Sequence, residues 1–165
     1  MMDLRKGLAL AAAALMFAAC DQAPTVPEDP FANLPKGIHP VLVTSQQGDE
    51  ATVELHLRRV DVTEHVAGVQ GELTFDASRL ALRGAEFQAG SSGMWNPVAD
   101  GRVRFAGVAV DGFSDTPVLT MHFQGSVRDA ERAFGVKVEE ITALEGFANQ
   151  TSLVVAGARP LLVRN

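Results

Sequence analysis

The sequence predicts an all-β chain: an antiparallel two-sheet sandwich of the jelly-roll or immunoglobulin-like kind with about nine strands. Three observations predict it. After Pro40, short runs alternate apolar and polar residues and are divided by Gly, Asp, Asn and Pro; period-two alternation is what a strand buried on one face requires. No run of about a dozen residues carries helical spacing, so the crossover helices of a wound α/β fold are missing. The 165 residues, 47% hydrophobic and 21% charged, are enough for one core and an appendage.

The elements follow in order. Val41 to Thr44 is the first candidate strand. Thr52 to Arg58 reads TVELHLR, with Val53, Leu55 and Leu57 on one face and Glu54, His56 and Arg58 on the other. In Val69 to Phe75, Val69, Leu73 and Phe75 face inward, and Gln70, Glu72 and Thr74 outward. Leu80 to Arg83, Met94 to Val98 and Arg102 to Val110 come next. In the last of these the apolar parity slips around Ala106-Gly107, where a bulge or a change of partner sheet is expected. Leu119, Met121 and Phe123 alternate with Thr120 and His122, and Phe134, Val136 and Val138 with Lys137 and Glu139. Leu153 to Val163 closes the set. Only Val127 to Ala133, with one or two turns, and Asp76 to Arg79, with a single turn, read as helical.

The amino-terminal segment is of another kind. Met1 to Cys20 reads MMDLRKGLALAAAALMFAAC: Arg5 and Lys6 precede an apolar run from Leu8 to Ala19 that is short for a bilayer span. Its ending, Phe17-Ala18-Ala19-Cys20, resembles the lipobox of bacterial lipoproteins. That resemblance implies cleavage before Cys20, acylation of its thiol, and a domain exported from the cytoplasm and lipid-anchored to a membrane of the bacterial cell envelope. An ordinary secretory signal with Cys20 incidental is the alternative. Pro24, Pro27, Pro30 and Pro35 make the following stretch an extended spacer. The expected organisation is a signal peptide over 1–19, the lipidated cysteine and a proline-rich tether over 20–39, and the sandwich over 40–165. Cleavage would remove Asp3, Arg5 and Lys6 and take the net charge from -6 to -7.

Composition excludes several functions. With 14 Lys+Arg against 20 Asp+Glu, the chain lacks the basic excess of a nucleic-acid binder. One cysteine excludes an intrachain disulfide and a cysteine zinc site. His39, His56, His65 and His122 are scattered and expected at the solvated surface. The acid pairs Asp49 with Glu50, and Asp111 with Asp115, sit at turns and strand ends, where Asp serves the backbone. Asp111 to Asp115 lacks the spacing and closing glutamate of a calcium loop. There is no Gly-x-Ser-x-Gly elbow. No catalytic residue, metal or cofactor is expected. Trp95, the only tryptophan, is open to two readings: a ring for stacking on a ligand, or a plug at one end of the sandwich.

One stretch carries a more specific pattern. Gly48-Asp49 opens an alternating strand over Thr52 to Leu57. Ala67-Gly68-Val69 leads into a strand ending in Phe75-Asp76-Ala77, followed by Leu80 to Leu82, Asp100-Gly101 through Ala109, and Val118 to Phe123. In order and spacing this resembles a cohesin domain, the receptor module of cellulosomes, whose sandwich is shared by several carbohydrate-binding modules. The resemblance implies a non-catalytic module that binds dockerins, small calcium-loaded protein modules, through one flat sheet face, with a part in polysaccharide catabolism. The face would be formed by Val66 to Phe75, Met94 to Val98, Arg102 to Val110 and Phe134 to Leu144. Its outward residues by alternation are Gln70, Glu72, Thr74, Arg102, Arg104, Lys137 and Glu139. A solvated face of any sandwich would carry the same residue types. Direct carbohydrate binding by this fold and a structural envelope role are the alternatives.

Overall fold

A computed structural model of the chain describes residues 34–157 and 159–163. The expected signal segment, Cys20 and the tether up to Asn33 lie outside the described residues. Nine strands form the fold: β1 (Gly37–Gln47), β2 (Glu50–Val60), β3 (Val66–Phe75), β4 (Leu80–Phe87), β5 (Ser91–Ala99), β6 (Arg102–Ala109), β7 (Leu119–Gly125), β8 (Phe134–Ala143) and β9 (Arg159–Val163). They make a five-stranded sheet in the order β4-β7-β2-β1-β9 and a four-stranded sheet in the order β5-β6-β3-β8. Among the described residues helix is confined to one turn, α1 (Ala130–Ala133), and one 3-10 turn, Thr151–Leu153. Asp76 adds the expected single turn, its carbonyl accepting from the Arg79 and Leu80 amides.

All strand pairs are antiparallel except one: β1 runs parallel to β9, with Val41 opposite Arg159. The alternating residues face inward as their period requires. Leu42, Val53, Leu55, Leu73, Phe105, Met121, Phe123 and Ile141 are buried between the sheets. Phe75, Phe123 and Phe134 close one end of this core in edge-on and tilted contacts, with ring centroids 5.0 and 5.2 Å apart. The β1–β2 hairpin turns on Gly48, whose positive φ of 63° suits a two-residue connection.

Two expectations are corrected here. The first strand begins at Gly37, inside the segment expected as tether. Ile38 and His39 are buried, and the His39 ring Nε2 donates to the Pro35 carbonyl at 2.8 Å, so this histidine is not a surface group. The second concerns Ala106-Gly107. No bulge lies there: β6 keeps unbroken register with β3 from Gly68↔Val108 to Thr74↔Arg102. Parity slips because Ala106 and Val108 are apolar residues that face outward, while Gly107 and Ala109 are buried. Register shifts fall elsewhere, at Val66/Gly68, Leu82/Gly84, Pro97/Ala99 and on β8, where Gln70 pairs with Glu140 and Gly71 with Val138, leaving Glu139 as the extra residue.

Candidate partner-binding face

The four strands expected to form a recognition face do form one sheet, and its outer surface is the candidate site. Alternation along β3, at the centre, turns Gln70, Glu72 and Thr74 outward. Arg102 and Arg104 on β6 lie opposite Thr74 and Glu72, and Lys137 on β8 lies opposite Glu72 from the other side. The side chains do not all pair straight across. Glu72 accepts a two-pronged bond from Arg102 on the diagonal, Nε to Oε1 at 3.2 Å and Nη2 to Oε2 at 2.7 Å. Arg104 is thereby left to reach over β3 to Glu139, Nη2 to Oε2 at 2.6 Å, while Lys137 Nζ stands 3.9 Å from Glu139 Oε1. Glu139 is outward by simple alternation after buried Val138; the extra residue in β8 shows in Glu140, which is exposed as well, opposite Gln70, before Ile141 returns to the core.

The network has a polarity. The bond from Arg102 holds the Glu72 carboxyl below the ordinary glutamate range, and that from Arg104 does the same for Glu139. Both acids are sunk into the face, with side chains 18% and 27% exposed, while Arg102, Arg104 and Lys137 are 53%, 51% and 78% exposed. Over Glu72 and Glu139 an incoming molecule therefore meets the donors of Arg102, Arg104 and Lys137 first, while Glu140, opposite Gln70, is an exposed carboxylate beside them.

The other end of the face is apolar. Among the described residues the exposed large hydrophobics are Met94, Val98, Val108, Val110 and Phe147; Val98 stands at the charged end, between the partners of Val103 and Arg102, and the other four lie on β5, on or just after β6, or in the connection after β8. Ala67, Gly68, Val108, Val110, Thr142 and Phe147 line a shallow apolar recess of about 330 Å³. Gly68 floors it, since a Cβ there would come within 3.2 Å of Thr142 Cβ. Phe147 is 75% exposed and holds a left-handed backbone, φ 50°, directly after Gly146 at φ 68°. A bulky residue in that region is uncommon and costs about 1–2 kcal/mol. Its connection is tied down on both sides, by the Ala143 amide to the Ala148 carbonyl and the Leu144 amide to the His65 carbonyl, each 2.8 Å. Reasoning from alternation names the charged half of this face and misses the apolar half. The parity slip at Ala106-Gly107 was the one sign of it.

The remaining candidates fall elsewhere. Trp95 pairs with Phe105 on β6, is half-buried and packs against the core. The Phe87 ring fills the space beneath Gly93 and Gly107, where a Cβ would lie 2.5 and 2.6 Å from it, and Phe113 is buried. The aromatic residues near Trp95 thus form no outward row. His56 and His122 occupy the outer side of the other sheet and contact Glu54 at 3.1 Å and Glu86 at 3.5 Å; His122 lies opposite Thr52, so the two histidines do not face each other. The Asp111 to Asp115 loop is fixed by buried Phe113 and by Ser114, whose amide and hydroxyl bond Gln88 Oε1. Among the described residues no group of three or more His, Cys, Asp or Glu is arranged to hold a metal. Cys20 lies outside the described residues.

No family model matches the sequence, and no curated protein sequence matches it. Solved structures do. The sixth cohesin of scaffoldin B from Acetivibrio cellulolyticus, in complex with a mutant Cel5 dockerin, superposes with a TM-score of 0.57 at 13% identity, covering 78% of this chain and all of that one (100%). A cohesin module from a Clostridium perfringens family 33 glycoside hydrolase gives a TM-score of 0.57 at 8% identity, covering 79% of this chain and 100% of that one. A non-cellulosomal cohesin from the archaeon Archaeoglobus fulgidus gives 0.52 at 13%, covering 76% and 91%. At these identities the likeness is one of fold. The chain has the two-sheet sandwich fold of cohesin modules.

Proposed function

We propose that this chain is a non-catalytic binding module, lipid-anchored through Cys20 at the bacterial cell envelope, whose four-stranded sheet receives a dockerin-like protein module. One observation carries the reading: the strands of this sheet bring Glu72, Arg102, Arg104, Lys137 and Glu139 together as one ordered polar network on an open face. Flat faces with fixed charge pairs suit recognition of protein, since such pairs set orientation and association rate. The fold supports it too, because cohesins from A. cellulolyticus and Clostridium thermocellum with this sandwich were solved in complex with dockerins. Anchoring rests on the lipobox-like ending at Cys20, and a part in polysaccharide catabolism on the cohesin likeness alone.

A second reading, a structural envelope protein, has one observation in its favour, the exposed apolar patch at Met94, Val108 and Phe147. The test uses the full chain as bait in a lysate of its source organism, with calcium and again with chelator. Capture of a protein carrying a duplicated calcium-loop segment, lost on chelation and lost with Arg104→Ala, supports the dockerin reading. Capture of envelope components independent of calcium moves the structural reading ahead. Incorporation of labelled palmitate, abolished by Cys20→Ser, tests the anchor.

A further inference from the structure

A second recess lies beyond the other end of β3 from the apolar one, away from the sheet face. It is a cleft of about 260 Å³ between the β3–β4 turn and the connection from β7 to β8. Five of its lining side chains are charged: Asp76, Arg79, Arg128, Asp129 and Arg132. Three guanidiniums against two carboxylates leave the cleft with a net positive charge, on a chain of net charge -6. The acids of adjoining turns, Asp49, Asp100 and Glu131, do not line it.

The way these charges are engaged limits what the cleft can hold. Asp76 serves its own turn: Oδ1 accepts from the Ser78 amide at 3.0 Å and from its hydroxyl at 2.5 Å, while Oδ2 stands 3.9 Å from Arg79 Nε. Asp129 Oδ2 stands 3.4 Å from Arg132 Nε. Both acids thus approach their arginine at Nε, which leaves the paired Nη groups, an edge that fits a carboxylate two-pronged. Arg128 has no hydrogen bond or ion pair among the described residues. A single carboxylate matches the one surplus positive charge. A dianion would exceed it and press against Asp76 and Asp129. Those two acids still carry lone pairs that accept from hydroxyl groups. Leu80 and Ala133 add an apolar wall. Small-molecule sites span about 300–1,000 Å³, so a cleft just below that range suits a ligand of one ring.

We propose that this cleft binds a hydroxylated monocarboxylate of single-ring size, a sugar acid, with its carboxylate among Arg79, Arg128 and Arg132 and its hydroxyls on Asp76 and Asp129. The site stands apart from the four-stranded sheet and does not depend on what that sheet receives.

The full chain, isotope-labelled, is titrated by NMR with galacturonate, galactose, acetate and inorganic phosphate at fixed ionic strength. Galacturonate is expected to shift the amides of residues 76–80 and 126–133 saturably, while galactose leaves them unmoved. Arg128→Gln removes a side chain that has no partner among the described residues, so a thermal melt should be unchanged. The loss of its charged donors should weaken galacturonate by about fivefold or more. Asp129 makes no side-chain capping bond to α1, so Asp129→Ala tests its part as an acceptor. In that variant acetate and phosphate should bind more tightly, and the preference for galacturonate over acetate should fall. A galacturonate trimer that binds more tightly than the monomer, with the same losses, assigns the cleft to the end of an acidic polysaccharide; equal affinity assigns it to the free acid. Acetate or phosphate binding wild type as well as galacturonate does overturns the ligand class and leaves a general anion patch. No shift in those amides, or a galacturonate affinity untouched by Arg128→Gln, overturns the site.

Discussion

Glu72 shows how one residue on an open strand serves both stability and recognition. Its two bonds from Arg102 fix the guanidinium plane, so the donors that Arg102 still offers point in a set direction. The same bonds lower the carboxyl's affinity for protons in the folded chain, with its sunken position acting the other way. The sign of the linkage follows. A carboxyl with a depressed folded value favours folding wherever it is ionised, so its contribution is present above the ordinary value of 4.5 and fades as the pH falls through the folded value. Glu72→Gln is therefore less stable than wild type at neutral pH, and the gap closes on acidification below the ordinary glutamate range. Urea midpoints measured from pH 7 down to 3 check this; a gap that stays constant or widens toward acid defeats it. Glu139, lowered by Arg104, obeys the same rule. That Glu72 faces outward was legible from the alternation of Val69 to Phe75. Its choice of Arg102 over the directly opposite Arg104, which reaches Glu139 instead, was not, because alternation tells which side a residue faces and not which cross-strand neighbour its side chain bonds.

At the scale of elements, β6 and the connection after β8 hold the lesson. Strands were legible wherever inward residues were apolar and outward ones polar, as in β2, β3 and β7. In β6 the outward residues change from Arg102 and Arg104 to Ala106 and Val108, so alternation of hydropathy stops although alternation of direction continues. A sequence reading takes that as a structural irregularity; it is a surface feature. The 144–149 connection carries the companion feature, Phe147, and here function and stability oppose each other. A phenyl ring that is 75% exposed contributes little to the core, while its left-handed backbone is strained. Asparagine tolerates that conformation well. Phe147→Asn is expected to raise the unfolding free energy by about 0.5–1 kcal/mol while weakening partner binding. Denaturant melts of the two chains decide it. A destabilised Phe147→Asn would mean that the ring supports the fold, and would remove the case for it as part of the binding face.

For the molecule as a whole, the sandwich and its strand count could be read from period-two alternation, but strand order could not, since partners here are set by packing between distant segments. The parallel β1–β9 pair is the extreme case. Val41 lies opposite Arg159, so the ladder that completes the five-stranded sheet joins the start of the described domain to its end. No local pattern announces such a closure, and an exclusively antiparallel sheet was the natural expectation. Its consequence is a dependence on the last residues. Without β9, the backbone of Val41 to Ser45 becomes an open edge beside Leu42 and Thr44, both fully buried in the intact fold. Each ladder hydrogen bond contributes about 0.5–1.5 kcal/mol net, so a chain ending at residue 158 should lose roughly 2–4 kcal/mol. The exposed edge should also make it self-associate at concentrations where the intact chain stays dispersed. Urea unfolding gives the first quantity and light scattering the second. Unchanged midpoint and scattering would mean that β1 needs no partner on that side, and that the sandwich is closed by the eight preceding strands alone.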